Sequence, residues 1–274
     1  MPIFRSLGVV LVGVMAAPLM ADSVQLQAVA DGTLYESPGG EIANGSGQHV
    51  FAGLNALDEI RRACVRFDVS SIPAGSTVHS AVLTLNLSRA ISGDLPVYVH
   101  RITASWGEGA SVAPGREGGG TVAEADDATW IHRFYDTSFW ATPGGDFVFT
   151  ASATQMVGFD AGPINWSDAG LVADVQGWVN GSFANHGWML RGAEDVEASA
   201  KRFDSRQNIE PSVRPVLSVS FTPPPPPCTG DYDGDRDVDF ADITFVLAGF
   251  NNPFTFGDIT VVLANFGSSC GGIH

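Results

Sequence analysis

RRACVRFDVSSIPAGSTVHSAVLTLNLS, residues 61–88, holds two alternating stretches with Pro, Gly and Ser between them. In the first, Ala63, Val65, Phe67 and Val69 fall on one side, and Arg62, Cys64, Arg66 and Asp68 on the other. In the second, Ala81, Leu83, Leu85 and Leu87 face one way, and Thr84, Asn86 and Ser88 the other. Successive side chains of a β-strand point to opposite faces, so a period of two predicts two half-buried strands.

The same texture extends in both directions. TLYE (33–36), QHVFAG (48–53), PVYVHRIT (96–103), GWMLRG (187–192), SAKRFDSR (199–206) and RPVLSVSF (214–221) read as further strands, broken by Gly, Pro, Ser and Asn. One stretch departs from this. In LVADVQGWVNG (171–181), Leu171, Val175 and Trp178 recur at helical spacing and Gly181 is a stop, which predicts a short helix capping one end of the domain. GREGGGTVAEADDATW (115–130) lacks an apolar period and reads as a long surface loop. Many strands joined by turns, with no helices between them, predict an all-β jelly-roll sandwich over residues 22–222.

The N-terminus MPIFRSLGVVLVGVMAAPLMADS has one early positive charge, Arg5, an apolar run from Leu7 to Val14 and small residues up to Ala21. That pattern predicts a secretory leader over 1–21, and hence a secreted, extracellular or cell-surface protein. Pro18 and Asp22 cut the apolar run short of the ~20 residues a membrane span needs. The 274 residues carry a formal net charge of −16 with a single lysine, Lys201. Such a balance argues against nucleic acid as a partner, because phosphate binding needs clustered Lys and Arg. There are three cysteines, and Cys228 and Cys270 flank the C-terminal segment. In an oxidising compartment they are expected to form one disulfide, leaving Cys64 as a buried thiol.

Five prolines, 223–227, form a stiff linker to a small module over 228–274. Within it FADITFVLAGF (240–250) returns sixteen residues later as FGDITVVLANF (256–266). Each copy reads as a helix, with apolar stripes of Ile243, Val246, Leu247 and Phe250, then Ile259, Val262, Leu263 and Phe266. Ahead of the first copy, DYDGDRDVDFAD (231–242) places Asp231, Asp233, Asp235, Asp237, Asp239 and Asp242 at positions 1, 3, 5, 7, 9 and 12. This is the ligand spacing of an EF-hand loop, with Val238 at apolar position 8, and it predicts one bound calcium ion. Position 6, usually glycine, is Arg236, position 12 is the shorter Asp, and the prolines forbid an entering helix. The expected module is a small α-helical half EF-hand.

GDYDGDRDVDFADITFVLAGF (230–250) resembles the loop and helix of the dockerin family. The second repeat keeps the helix and Asp258 but not the acidic loop. The resemblance implies docking onto a cohesin-like partner protein on a scaffold or surface. RRACVRFDVSSIPAGSTVHSAVLTLNLS, VYVHRITASWGEG, DVQGWVNG, GWMLRG and AKRFDSR together resemble the DNRLRE domain, a secreted β-sandwich regarded as carbohydrate-binding. That resemblance implies a polysaccharide ligand, acidic uronate polymers included.

Sugar recognition calls for aromatic faces and, for uronates, arginine forks. Trp106, Trp130 and Trp140, beside glycine-rich or polar loops, are candidates for the first. Arg66, Arg202 and Arg206 are candidates for the second, because RFD occurs at 66–68 and at 202–204. The same arginines are equally placed to pair with Asp68 and Asp204 and close the sandwich. Glu108, Glu117, Glu124, Asp127, His100 and Tyr98 are residue types a glycosidase or lyase uses, yet none sits in a recognisable catalytic motif, and a non-catalytic protein is expected. A structural or adhesive surface protein is the alternative.

Overall fold

The structure is a computed structural model that describes residues 21–224 and 227–270. The leader expected over 1–21 lies, Ala21 apart, outside the described residues. Two compact units divide the chain: one spans Ala21–Pro223, and the other begins at Pro224. No helix among the described residues is long and apolar enough to cross a membrane.

The larger unit is antiparallel throughout. Its strands are β1 (Asp22–Tyr35), β2 (Ile42–Ala43), β3 (His49–Leu54), β4 (Ile60–Phe67), β5 (Thr77–Arg89), β6 (Leu95–Arg101), β7 (Thr121–Val122), β8 (His132–Phe134), β9 (Ser138–Phe139), β10 (Ala153–Val157), β11 (Gly162–Trp166), β12 (Trp188–Arg191), β13 (Lys201–Asp204) and β14 (Val216–Thr222). In one layer β5 pairs with β14, β13 and β11. In the other, β1, β4, β12, β6 and β10 lie side by side. Two strands serve both layers. The first half of β1 pairs with β14, and after a register shift between Ala28 and Ala30 its second half pairs with β4. Likewise β3 pairs with both β13 and β4. The result is a sandwich whose layers run into each other, in the manner of a barrel.

Alternation fills the space between the layers as the sequence predicts. Val65 and Phe67 of β4, Leu83, Leu85 and Leu87 of β5, and Leu217 and Val219 of β14 are buried in one cluster. At about 1.5–3 kcal/mol for each large apolar side chain removed from water, this cluster carries the stability of the unit. The helix α1 (Ala169–Val179) closes it with Leu171, Val175 and Trp178. The side chain of Gln176 accepts from Val78 N at 2.8 Å and donates to Ser76 O at 2.9 Å, which pins α1 to the start of β5.

The other face of β4, polar by its alternation, is also buried. A second cluster joins Leu34, Cys64 and Met189 to Ile102, Trp106, Trp130 and Trp140, so the stretch after β6 folds over the outside of that layer. Residues 115–130 are therefore only partly a surface loop: Arg116 and Gly119 are exposed, but Asp127, Ala128, Thr129 and Trp130 are buried beneath it.

In the small unit α2 (Phe240–Ala248) and α3 (Phe256–Asn265) start alike. Asp239 and Thr255 are N-caps, and Asp242 and Asp258, three residues on, complete a capping box in each. The fully buried apolar core is small: Val238, Val246 and Val262, with Ile243, Tyr232, Phe254 and Ile259 partly buried around it. The expected stripes are thus cut short. Leu247, Leu263 and Phe266 stay exposed because two short helices have no third layer to cover them. The Cys228–Cys270 disulfide clasps the ends of the unit.

Candidate functional site

The acidic loop is held by its own carboxylates. Asp231 accepts from the backbone N–H of Gly234 at 2.7 Å and of Arg236 at 2.9 Å. Asp233 accepts from Asp235 N at 3.2 Å, and Asp235 from Asp237 N at 3.1 Å. These bonds wind the chain into a tight arc with the side chains of Asp231, Asp233 and Asp235 turned together. The arc requires a left-handed turn at position 6, and Arg236 supplies it with φ +76°. That conformation favours glycine, so an arginine there stores backbone strain of about 1 kcal/mol.

Asp242 works differently. It is fully buried, and it accepts from Tyr232 N at 2.6 Å, Asp233 N at 3.2 Å and Asp239 N at 2.9 Å, stitching the start of the loop to the first turn of α2. Burial alone would raise its carboxyl, but these backbone donors outweigh burial and hold it below the usual range. Tyr232 also donates through its hydroxyl to Asp258 at 2.8 Å, which ties the loop to the second capping box. On the other side Val238 N donates to Ser268 O at 2.9 Å, and Cys270 N donates to Arg236 O at 2.9 Å. The loop is therefore backed by the segment that ends in the disulfide.

The six aspartates fall into two triads, Asp231, Asp233 and Asp235, and Asp237, Asp239 and Asp242, and within each one carboxylate oxygen per residue lies within 4.8 Å of the others. Oxygens bound to one calcium ion at 2.3–2.6 Å are at most about 5 Å apart, so either triad meets that limit. The donor set is all oxygen and all anionic, which suits a hard divalent cation. Crowding has an electrostatic cost: desolvation, and then the charges of Asp235, Asp242 and Asp231, hold the Asp233 carboxyl above its usual range.

On the surface of this unit the repeat makes two matching aromatic pairs. The rings of Phe240 and Phe266 meet edge to face at 5.3 Å, and those of Phe256 and Phe250 at 4.9 Å. Each pair joins the start of one repeat to the end of the other. Phe240 and Phe256 remain 73% and 75% exposed.

The aromatic candidates of the β unit lie elsewhere than expected. Trp106, Trp130 and Trp140 are largely buried in the second cluster, and Trp130 also lines an open cavity beside Pro38, Asp58 and Pro143. Trp106 Nε1 donates to His186 O at 2.8 Å and Trp140 Nε1 to Thr129 O at 3.0 Å, while the Arg62 guanidinium covers Trp130 at 4.8 Å. The reason is the fold of 102–150 over β4 and β12, whose outer face needs an apolar cover. Trp166, Trp178 and Trp188 are buried as well.

The arginine candidates part company. Arg66 lies over Trp106 at 5.7 Å. Arg206 forms a tight two-pronged pair with Glu108, whose Oε1 also accepts from Gln207 at 2.9 Å and from Asp31 N at 2.9 Å. Beside this pair Asp31 is buried, and burial pushes its carboxyl up to about 8. Arg202 donates from Nε to Ser88 Oγ at 3.0 Å and makes no ion pair among the described residues. Neither RFD string forms an Arg–Asp pair of its own. Asp204 is instead bonded by Asn86 at 2.6 Å and Asn208 at 3.0 Å.

Glu117, Asp127 and His100 are tied into structure, while Glu124 is exposed and Tyr98 lines an open cavity. Glu117 accepts from Asn44 at 3.0 Å, Gln48 N at 3.1 Å and His49 N at 2.9 Å. Asp127 accepts from Glu124 N at 2.7 Å, and His100 Nδ1 lies 3.0 Å from Val148 O. Cys64 is a buried free thiol, raised by burial to about 12. No protein-family model matches this sequence, and no curated protein matches it.

Proposed function

We propose that this is a secreted, non-catalytic polysaccharide-binding protein: a sandwich of the jelly-roll, DNRLRE-like sort, carrying a calcium-dependent, dockerin-like module that docks it onto a partner of the cohesin kind. The observation that carries the reading is the arc at Asp231, whose carboxylate gathers the N–H groups of positions 4 and 6 around a left-handed turn. A chain that accepts strain at Arg236 and crowds six carboxylates is compensated when a cation sits among them. Asp231, Asp233, Asp235, Asp237, Asp239 and Asp242 would hold one calcium ion, which would neutralise the loop and fix α2 against it. The exposed rings of Phe240 and Phe256 support docking.

Retardation of the full chain in gels containing alginate, pectin or cellulose tests the polysaccharide half. Slowed migration with at least one of them is the expected result, and free migration with all, confirmed on a broad glycan panel, contradicts it. One observation favours a second reading, a structural or adhesive surface protein: all six tryptophans are largely buried, which leaves little indole surface for stacking on sugars. The same panel separates the two.

A further inference from the structure

One cavity of the β unit carries charge that the fold leaves unused. Where the chain leaves β1, turns from β3 into β4 and passes from Trp130 to Pro143, a space of about 450 Å³ opens to solvent. One wall is apolar, made by Pro38, Trp130, Ile131 and Pro143. The other is acidic, with Glu36, Asp58 and Glu59, and no basic residue lines the cavity.

The carboxylates are fixed in place but not used up. Glu36 accepts from Ile60 N at 2.7 Å through Oε2, and Glu59 accepts from Arg61 at 2.7 Å and from Asn55 at 2.8 Å, also through Oε2. Each leaves its Oε1 outside these bonds. The bond from Arg61, and then that from Asn55, holds the Glu59 carboxyl below its usual range, so it stays charged. Asp58 is exposed and has no hydrogen-bond or ion-pair partner among the described residues. Its turn is nevertheless fixed, because Asn55 Oδ1 accepts from Leu57 N at 2.8 Å and from Glu59 N at 3.0 Å. Ser37 adds a hydroxyl oxygen that is buried without a partner.

The spread of these acids decides which cation suits them. Unlike the aspartates of the C-terminal loop, they do not bring three carboxylate oxygens within 4.8 Å of one another, so they do not enclose a metal ion. An extended cation on an apolar stem matches both walls. Arginine carries its charge on a planar fork of N–H donors that stacks on indole rings, whereas the lysine ammonium is a compact point charge. Trp130 already has one guanidinium against it: Arg62 lies over its ring at 4.8 Å, with its charge met by Glu194 at 2.7 Å. Arg61 offsets the Glu59 charge, which leaves Glu36 and Asp58 as the main attraction.

We infer that this cavity docks an arginine side chain of a partner protein, with its methylene stem along Pro38, Ile131 and Pro143 and its guanidinium between Trp130 and the carboxylates of Glu36 and Asp58. The volume lies within the range of clefts that enclose small ligands, enough for one side chain and the backbone that bears it. An acidic rim repels a polyuronate, and the net charge of −16 draws basic partners toward the chain. The inference needs neither a glycan nor calcium, so it stands or falls apart from the function proposed above.

The test is an NMR titration of the full chain with the peptide acetyl-Gly-Arg-Gly-amide, reading the Trp130 indole Nε–H and the Asp58 amide. The same peptide with citrulline, which keeps the shape without the charge, is the control. Both signals are expected to shift saturably with the arginine peptide and to stay put with citrulline. No shift, or an equal shift with citrulline, overturns the inference. A lysine peptide should bind more weakly, and tighter binding of it overturns the guanidinium assignment. Asp58→Asn removes a charge from a residue without a structural partner, and asparagine tolerates its left-handed φ of +59°. That variant should bind the arginine peptide about threefold more weakly, and an unchanged affinity overturns the site. Shifts of the same signals with cellohexaose or an alginate hexamer, but with neither charged peptide, overturn the docking and give the cavity to the polysaccharide reading.

Discussion

The two units of this chain solve the problem of staying folded in opposite ways. Ala21–Pro223 buries two apolar clusters, including all six tryptophans, and ties its polar interior with networks such as Arg206–Glu108 and Asp204–Asn86. The unit after the prolines has three fully buried valines, one disulfide and an acidic loop. The first has enough core to stand without help. The second is small enough that its disulfide must supply part of what apolar burial does not, and the proposed calcium ion would supply more. Spectroscopy separates them cleanly, because every tryptophan lies in the β unit while Tyr232 lies in the small one.

The sharpest way to break this contrast is to remove the disulfide. Its ends are 42 residues apart, so Cys228→Ser with Cys270→Ser should cost the small unit about 4 kcal/mol. Amide signals of α2 and α3 are expected to collapse, while the tryptophan-monitored melt does not move. Leu85→Ala is the mirror experiment: it should lower the stability of the β unit by about 3 kcal/mol in a tryptophan-monitored urea titration and leave the spectrum of the tail alone.

The pH dependence sharpens the picture of the β unit. Burial raises the Asp31 carboxyl to about 8 from its ordinary 3.8. A carboxyl raised in the folded chain binds its proton more tightly there than when unfolded. Its contribution is therefore present below about pH 4 and is lost as pH rises toward about 8. Urea midpoints should fall across that window, and Asp31→Asn, which keeps an acceptor for Arg206 N without the charge, should flatten the slope. The smallest effect belongs to the tail. Arg236→Gly relieves the left-handed position and is expected to stabilise the small unit by about 0.5–1 kcal/mol, visible as slower amide exchange in α2.

Much of this was legible in the residues. Period-two alternation at 61–88 marks β4 and β5, and Leu171, Val175 and Trp178 mark α1, because each pattern is the imprint of one buried face. Six strands were not legible: β2, β7, β8 and β9 are only two or three residues long, ATQMV in β10 exposes three adjacent positions, and GPINW in β11 opens on Gly and Pro. The tryptophans misled for a different reason. A residue beside glycine-rich loops looks solvent-facing until a distant segment is known to fold over the outer face of a sheet, and the only signal of that here was Cys64 among arginines. The acidic loop was readable because its donors repeat every second residue. Its anchoring was not, since the bond from Tyr232 to Asp258 and the pairing of Val238 with Ser268 join residues 26 and 30 apart in the sequence. The cavity at Trp130 was hidden similarly, because Glu36, Asp58 and Trp130 are brought together only by the fold.

Calcium titration of the full chain by calorimetry tests most directly the proposed contrast between a self-sufficient β unit and a tail completed by a cation. The account predicts one site per chain, abolished by Asp231→Ala with Asp235→Ala and accompanied by a rise in the melting temperature of the tail alone. No heat of binding, or a site that survives the double substitution, would contradict it.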